Sequence, residues 1–597
     1  MRDSKNPKHK NIKKPDMKRF IVHPSIIALT AALALPACQD DWNDHYDQQV
    51  DTAYGTASLY EVIAAQPELS DFRAVLDSVR LFANNKPTSV HYREMLSADQ
   101  FFTVWAPVNG SFDRDSLLRL ASTQGGDSLV DRHFLQNHIA RFAHNMNGKA
   151  KTVAMLNSKT LAQGDGTFAT ARVTKENIGT RNGLLHVIDS SVDYYYNIYE
   201  ALVSLDKFSH LGDFYLSYQI EEFDEENSLA MGVVDGKTVY VDSVFRVSNL
   251  LTQGYGYVDR EDSTYWMIVP TRELWDELYA EAETYYNYGS VLKADSIHNF
   301  WSHYALMQDL TYNPRVQKGI RDSIVSTQWY QPLPGEPSYH VYYAPFERGG
   351  LFWPGSFSDS LTCSNGSIYE VSTWPFEQTK TYFIPIKTEA EGRIYEDFET
   401  ATKQLRIERR FVSADTVSDG YVSITPQTTY DAFYVTYELY DVLSGTYDVQ
   451  VVMLPKTVYN PNYKPDTDRR QFLPCKFTAE LTYAGTDGKE YTVTSANRYV
   501  IDEDDPAYYV RTTDASVPFL FDCNDNPNTA STRAFTSDPY RVDTITLATV
   551  HFPTCSFGQQ RTSMRLKLVN SIRSNQTNQY SAEWFIDCFI LRPHKED

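Results

Sequence analysis

The sequence predicts an α+β protein: two mixed sheet-and-helix domains, followed by an all-β sandwich. Three observations predict it. Four short motifs occur twice, in the same order, before residue 390. The dense apolar strand of the first set, Phe102 to Ala106, ends at a proline, and a helix is expected near Phe112. From about Gly392 the pattern changes to short alternating runs separated by polar turns, as in sandwiches.

The N-terminus comes before any of these domains. Residues 2–19 carry eight Lys or Arg and two Asp, and the apolar run Ile26 to Leu35 follows. A helix crossing a bilayer needs about 20 apolar residues. A basic region, a short apolar run and small residues together read as a signal peptide. The run ends Leu35-Pro36-Ala37-Cys38, which resembles the bacterial lipobox, with Cys38 as the lipidated residue. Residues 1–37 are then a leader, and translation starts at Met1 or at Met17. Residues 38–55 form an acidic tether. Its Asp40 and Asp41, directly after the cysteine, resemble the surface-export signal of Bacteroidetes lipoproteins. That resemblance implies a lipid anchor in the outer membrane, facing outside; buried acyl CH₂ groups contribute about 0.8 kcal/mol each.

Removing residues 1–37 from the 597 leaves 560, enough for three or four domains. It also removes eight bases and two acids, so 47 bases face 75 acids and the net charge falls from −22 to −28. Such a surface repels nucleic acid and anionic lipid, and suits neutral glycans, cations or protein partners. Five cysteines remain beyond Cys38: Cys363, Cys475, Cys523, Cys555 and Cys588. An odd count without a C-x-x-C predicts neither a disulfide framework nor a zinc knuckle.

The repeat runs through four motifs. Leu59-Tyr60-Glu61-Val62-Ile63 returns as Ile198-Tyr199-Glu200-Ala201-Leu202. Phe102-Thr103-Val104-Trp105-Ala106-Pro107 returns as Trp266-Met267-Ile268-Val269-Pro270. His138 is matched by His303, and Asn182-Gly183-Leu184-Leu185-His186-Val187 by Asn365-Gly366-Ser367-Ile368-Tyr369-Glu370-Val371. The offsets only increase, as insertions into the second copy require. Within the first copy, Pro107 ends the strand because it has no N–H for a ladder. Asn109 or Ser111 is expected to cap the next helix, and Asn182-Gly183 reads as a tight turn.

These motifs, from Phe102 to Phe112, around Leu135 to Ile139 and from Asn182 to Asp189, resemble those of the fasciclin family. The resemblance covers residues 56–193 and, in divergent form, 194–390. In the second copy Tyr369 stands where the family has histidine. The resemblance implies two β-wedge domains with packed helices and a role in adhesion or extracellular binding rather than chemistry. His138 and His186 then read as internally hydrogen-bonded histidines, not metal ligands.

Residues 391–597 are expected to form the sandwich, with strands over 420–424, 432–439, 446–454, 477–483, 544–550, 564–569 and 582–591. Ser444 to Val449 and Ile586 to Leu591 resemble strands of galactose-binding-like jelly rolls. Two acidic loops lie within it. Asp502, Asp504 and Asp505 in one, and Asp522 and Asn524 in the other, offer hard oxygen donors of the kind that hold calcium. Tyr508 and Tyr509, next to the first loop, are candidate sugar-stacking residues. No H-E-x-x-H, P-loop or G-x-S-x-G is present. The expected function is therefore non-enzymatic: a surface lipoprotein that binds glycan, peptide or a TonB-dependent transporter component in SusC/SusD-type uptake. The alternative is an adhesin contacting host matrix or other cells, and a hydrolase ranks last.

Overall fold

A computed structural model describes residues 55–595 except 84–85, 235–236, 292–294, 314–322, 329–340, 392–396, 401–404, 412–419, 428–431, 457–471, 526–532 and 559–562. The chain divides into two compact units, Met1–Tyr194 and Tyr195–Asp597.

In the first unit the strand Phe102–Pro107 is apolar but for Thr103 and buried at every position. It lies inside a seven-stranded sheet, parallel to Gly183–Ile188, with Phe102 opposite Gly183 and Pro107 opposite Ile188. Gly183 has to be glycine here, because a Cβ would stand 2.0 Å from the Phe102 carbonyl oxygen. One face of the sheet packs on helices through Leu59, Phe72, Val75, Leu76 and Phe134. The other buries Trp105, which stacks on Phe168 at 4.2 Å. Asn182 ties the elements together. Its Oδ1 accepts from the Leu59 N–H at 2.8 Å, and its Nδ2 donates to the carbonyls of Leu96 at 2.9 Å and Ala98 at 2.6 Å. The helix after the strand spans Arg114–Ala121 and is capped by Asp113, neither by Asn109 nor by Ser111. Asn109 instead accepts from the Asp71 N–H and donates to Pro67, while Ser111 donates back to Val108. The turn at Gly110, with φ of 73°, delays the helix beyond both.

The second unit begins with the same plan. Its strand Tyr265–Pro270 runs parallel to Gly366–Val371, flanked by Thr311–Tyr312 and Asp359–Cys363. Asn365 occupies the place of Asn182: Oδ1 accepts from the Ile198 N–H at 2.9 Å, and Nδ2 donates to Val258 at 2.8 Å and Arg260 at 3.0 Å. The register puts Leu310, not His303, where His138 stands. The Trp105 N–H donates to the His138 carbonyl, and the Ile268 N–H to that of Leu310. His303 lies earlier, within the helix Asp295–Met307.

The unit continues into a two-sheet sandwich. One sheet orders Leu405–Phe411, Gly420–Pro426, Trp584–Pro593, Gly445–Met453 and Asp543–Phe552, with Ile386–Glu389 also paired to Trp584–Pro593. The other orders Asp397–Thr400, Phe433–Glu438, Arg565–Asn570, Lys476–Ala484 and Glu490–Thr494. The α+β class with a C-terminal sandwich thus follows the sequence pattern. Trp584 sits between the sheets against Phe433 and Phe477. One hydrophobic core runs without a break from Ile198 to Leu591. It is reinforced by the Cys555 N–H donating to Asn287 and by Trp301 against Phe557.

Candidate functional site

Among the described residues, one group of potential metal donors gathers around the strand Trp584–Pro593. Residues along a strand normally alternate between faces. Here the pairing with Gly445–Met453 slips, with Val452 opposite Cys588 and Met453 opposite Ile586. The extra residue in this bulge is Asp587, and a bulge re-aims side chains. Asp587 and Cys588 consequently place their donor atoms, with that of Glu389, within 4.8 Å of one another. Glu389 arrives on the antiparallel strand Ile386–Glu389, directly opposite Cys588. The chain continues through the Ala390 N–H, which donates to the Asp587 carbonyl at 3.0 Å, to Glu391. Gly420 leaves room for that residue: a Cβ there would lie 3.0 Å from Glu391 Oε1.

The group is rich in acid and mostly buried, with the Glu389 side chain half-exposed. Asp587 is 7% exposed, Glu391 9% and Cys588 1%. Lys387 pairs with Glu389 at 2.7 Å, and the Cys588 thiol donates to Asp587 Oδ2 at 3.5 Å. Burial pushes the Asp587 carboxyl up to about 6, with Lys387 opposing and Glu389 adding to the shift. Burial raises Glu391 as well, helped by the charges of Glu389 and Asp587. The thiol is raised first by burial, then by the neighbouring carboxylates. Glu391 Oε2 and Asp587 Oδ1 have no hydrogen-bond partner among the described residues. The sequence reading missed this group, although one signal was visible: Asp587 is the sole charge in Trp584 to Leu591.

The residues that reading did select are arranged differently. Cys38, Asp40 and Asp41 lie outside the described residues. Asp502, Asp504 and Asp505 are exposed and close their own turn: Asp502 Oδ1 accepts from the Asp504 N–H, and Asp505 Oδ1 from that of Ala507. Asp522 is exposed, while the Asn524 amide pairs with the Thr536 backbone in both directions. Among the described residues, neither loop brings three acidic, His or Cys donors together as the bulge does. Tyr509 is 7% exposed, and its hydroxyl accepts from the His551 N–H at 2.7 Å. Its ring is part of the core. Tyr508, at φ of 60°, stacks on the His551 ring at 4.9 Å. Among the exposed aromatics that went unremarked, three share one stretch of chain: Tyr343 at 70%, Phe346 at 51% and Trp353 at 39%. All three fall in the stretch between Thr311–Tyr312 and Asp359–Cys363, which is longer than its counterpart between Ile139–Arg141 and Ala171–Thr180.

In the first unit, His138 and His186 are fully engaged. His138 Nδ1 bonds the Phe134 carbonyl at 2.7 Å, and Nε2 accepts from the Val192 N–H at 3.0 Å. His186 Nδ1 accepts from the Asn177 N–H, and Nε2 bonds the His144 carbonyl. Burial lowers both to about 4, leaving the rings neutral. The Fasciclin domain family profile matches residues 71–192. This segment is a fasciclin domain.

The match takes in the strand Phe102–Pro107, both histidines and the Asn182 hub of the fasciclin domain. No match was found among curated proteins. Among solved structures, the C-terminal family 22 carbohydrate-binding module of Clostridium thermocellum Xyn10B is 9% identical, covering 35% of this chain and 92% of that one, with a TM-score of 0.18. A FAS1 domain pair from the insect cell adhesion molecule Fasciclin I is 11% identical over 47% of this chain and 90% of that one, with a TM-score of 0.15. The C-terminal family 6 module of a laminarinase from Zobellia galactanivorans is 9% identical over 35% and 99%, with a TM-score of 0.14. Overlaps at such scores carry no argument about function.

Proposed function

We propose that this chain is a non-catalytic binding protein, anchored through a lipid on Cys38 and displayed on the outer surface of the outer membrane. The observation that carries the binding role is the fasciclin domain at 71–192. Its two buried histidines hold backbone groups and stay neutral, so they act as scaffold and not as acid–base groups. The second unit opens with a divergent fasciclin-type copy, a reading supported by the shared strand order and the equivalent roles of Asn182 and Asn365.

The ligand surface is the aromatic set Tyr343, Phe346 and Trp353 on the second copy. Loops positioned by a rigid sheet commonly carry binding residues, and exposed rings present the faces on which sugars or peptide side chains stack. Phe346 is braced by Trp266 at 5.2 Å, which holds its ring in place. The partner is a glycan, a peptide or a component of a TonB-dependent uptake system. Adhesion to host matrix or other cells is the second reading, favoured by the fasciclin domain itself.

Protease treatment of intact cells tests display: the wild-type chain is expected to be cleaved and Cys38→Ala not. Glycan arrays and outer-membrane pull-downs with the full chain test binding. Phe346→Ala with Trp353→Ala is expected to abolish capture that Tyr508→Ala leaves intact; the reverse pattern moves the site to the sandwich. Copurification of a TonB-dependent transporter favours uptake, and retention on matrix proteins alone favours adhesion.

A further inference from the structure

We propose that Glu389, Glu391, Asp587 and Cys588 form a binding site for a zinc-class divalent metal ion. The donors of Glu389, Asp587 and Cys588 already lie within 4.8 Å of one another. A zinc ion sits about 2.0–2.3 Å from each ligand, so its donors are spaced at roughly 4 Å or less, and small side-chain rotations close the set.

Two independent features point to a cation beyond the clustering of acids. Asp587 and Glu391 are each more than nine-tenths buried, and each has a carboxylate oxygen with no partner among the described residues. A buried oxygen of this kind is costly unless something satisfies it. The charge also does not balance. Among the described residues three carboxylates face one ammonium, that of Lys387, and a divalent ion offsets most of the negative charge once Cys588 is a thiolate.

The donor set selects the ion. Calcium takes six to eight oxygens, usually with water among them. This site offers four donors, three of them on buried side chains and one of them sulfur, and thiolate suits zinc. Binding moves the Cys588 proton to solvent as the sulfur–metal bond forms. The bound ion joins the strand Ile386–Glu389 to the bulge in Trp584–Pro593, fixing an edge of the sandwich sheet.

The test uses the full chain in mild detergent, stripped with chelator and then given Zn²⁺, Ca²⁺ or Co²⁺ alone. Elemental analysis after dialysis is expected to return one zinc per chain, and a hundredfold excess over Kd is expected to raise the melting midpoint of the second unit by roughly 5 °C. Cobalt is expected to give a thiolate-to-metal charge-transfer band in the near ultraviolet. That band is lost in Cys588→Ala and retained in Cys555→Ala, so the signal belongs to one thiol. Asp587→Asn, nearly isosteric, is expected to lower zinc affinity at least tenfold while the metal-free protein stays folded. Absence of stoichiometric zinc, or calcium binding that Cys588→Ala leaves unchanged, overturns the proposal.

Discussion

The fasciclin domain and the sandwich both bury polar side chains, with opposite outcomes. In the fasciclin domain each nitrogen of His138 and His186 meets a backbone group, and both side-chain ends of Asn182 bridge separate elements. In the sandwich, Glu391 and Asp587 are buried with oxygens that no described residue satisfies. Polar groups completed by backbone specify a shape and leave nothing for a ligand. Polar groups held incomplete are what a ligand can complete. The contrast holds at these positions and not throughout, since Trp105 Nε1 and Gln163 Oε1 of the fasciclin domain also lack a partner among the described residues.

The largest expected effect tests the scaffold side. Asn182→Ala removes three buried hydrogen bonds and is expected to cost about 3 kcal/mol. Asn365→Ala removes the equivalent three from the second unit. Chemical denaturation of each variant measures the two losses. Equal costs support equivalent hubs, and a loss confined to Asn182→Ala breaks the equivalence.

His138→Ala comes next, at about 2 kcal/mol, because it leaves the Val192 N–H and the Phe134 carbonyl without their partner. The pH dependence sharpens the same point. Both histidines are lowered to about 4 in the folded state, against an ordinary value of 6.5. The unfolded chain therefore takes up two protons that the fold refuses, so stability is full above 6.5 and declines as pH falls towards 4. Asp131, pushed up to about 6 by burial while Tyr92 and Gln136 donate to it, works the other way below 6. Within the fasciclin domain two groups outweigh one, and a net loss of its stability is expected on acidification. His138→Gln is expected to flatten the slope by about one proton; an unchanged slope rules out His138 as its source.

On the site side the sign is expected to reverse. In chelator-treated protein, Asp587→Asn removes a buried carboxylate that lies beside Glu389 and Glu391 and is expected to stabilise the second unit by about 1 kcal/mol. Destabilisation in the absence of metal would place Asp587 with the scaffold groups. Tyr508→Ala is expected to have the smallest effect, under about 1 kcal/mol, since the half-buried ring loses mainly its stacking on His551. A larger loss would show that the Asp502–Tyr508 turn depends on that ring.

Periodicity and turn residues made the framework readable. All seven expected sandwich strands occur within a few residues of their predicted bounds, while the turn expected at Asn182-Gly183 falls one residue earlier, at Arg181-Asn182, with Gly183 already paired to Thr180. The candidate site was not readable, because it depends on a slip in strand pairing. A bulge changes which face a side chain takes, and it is decided by the neighbouring strand, Gly445–Met453, which is distant in sequence. Tyr509 illustrates the converse. Beside an acidic loop it looked like a surface ring, yet its hydroxyl is needed to satisfy the buried His551 N–H. The cap of Arg114–Ala121 moved to Asp113 for a local reason, the positive φ at Gly110.

The strand Trp584–Pro593 has a consequence for the order in which the second unit can assemble. It is paired with Ile386–Glu389, Gly420–Pro426 and Gly445–Met453, all of which precede it by more than a hundred residues. As the chain emerges in synthesis or export, Gly420–Pro426 can pair with Leu405–Phe411 and Gly445–Met453 with Asp543–Phe552, but the strand that joins these pairs arrives last. Closing contacts across such separations is slow, and unpaired strand edges invite association with other chains while they wait. A long-lived, aggregation-sensitive precursor is therefore inherent in the topology, and a chaperone that shelters edges would act on this interval.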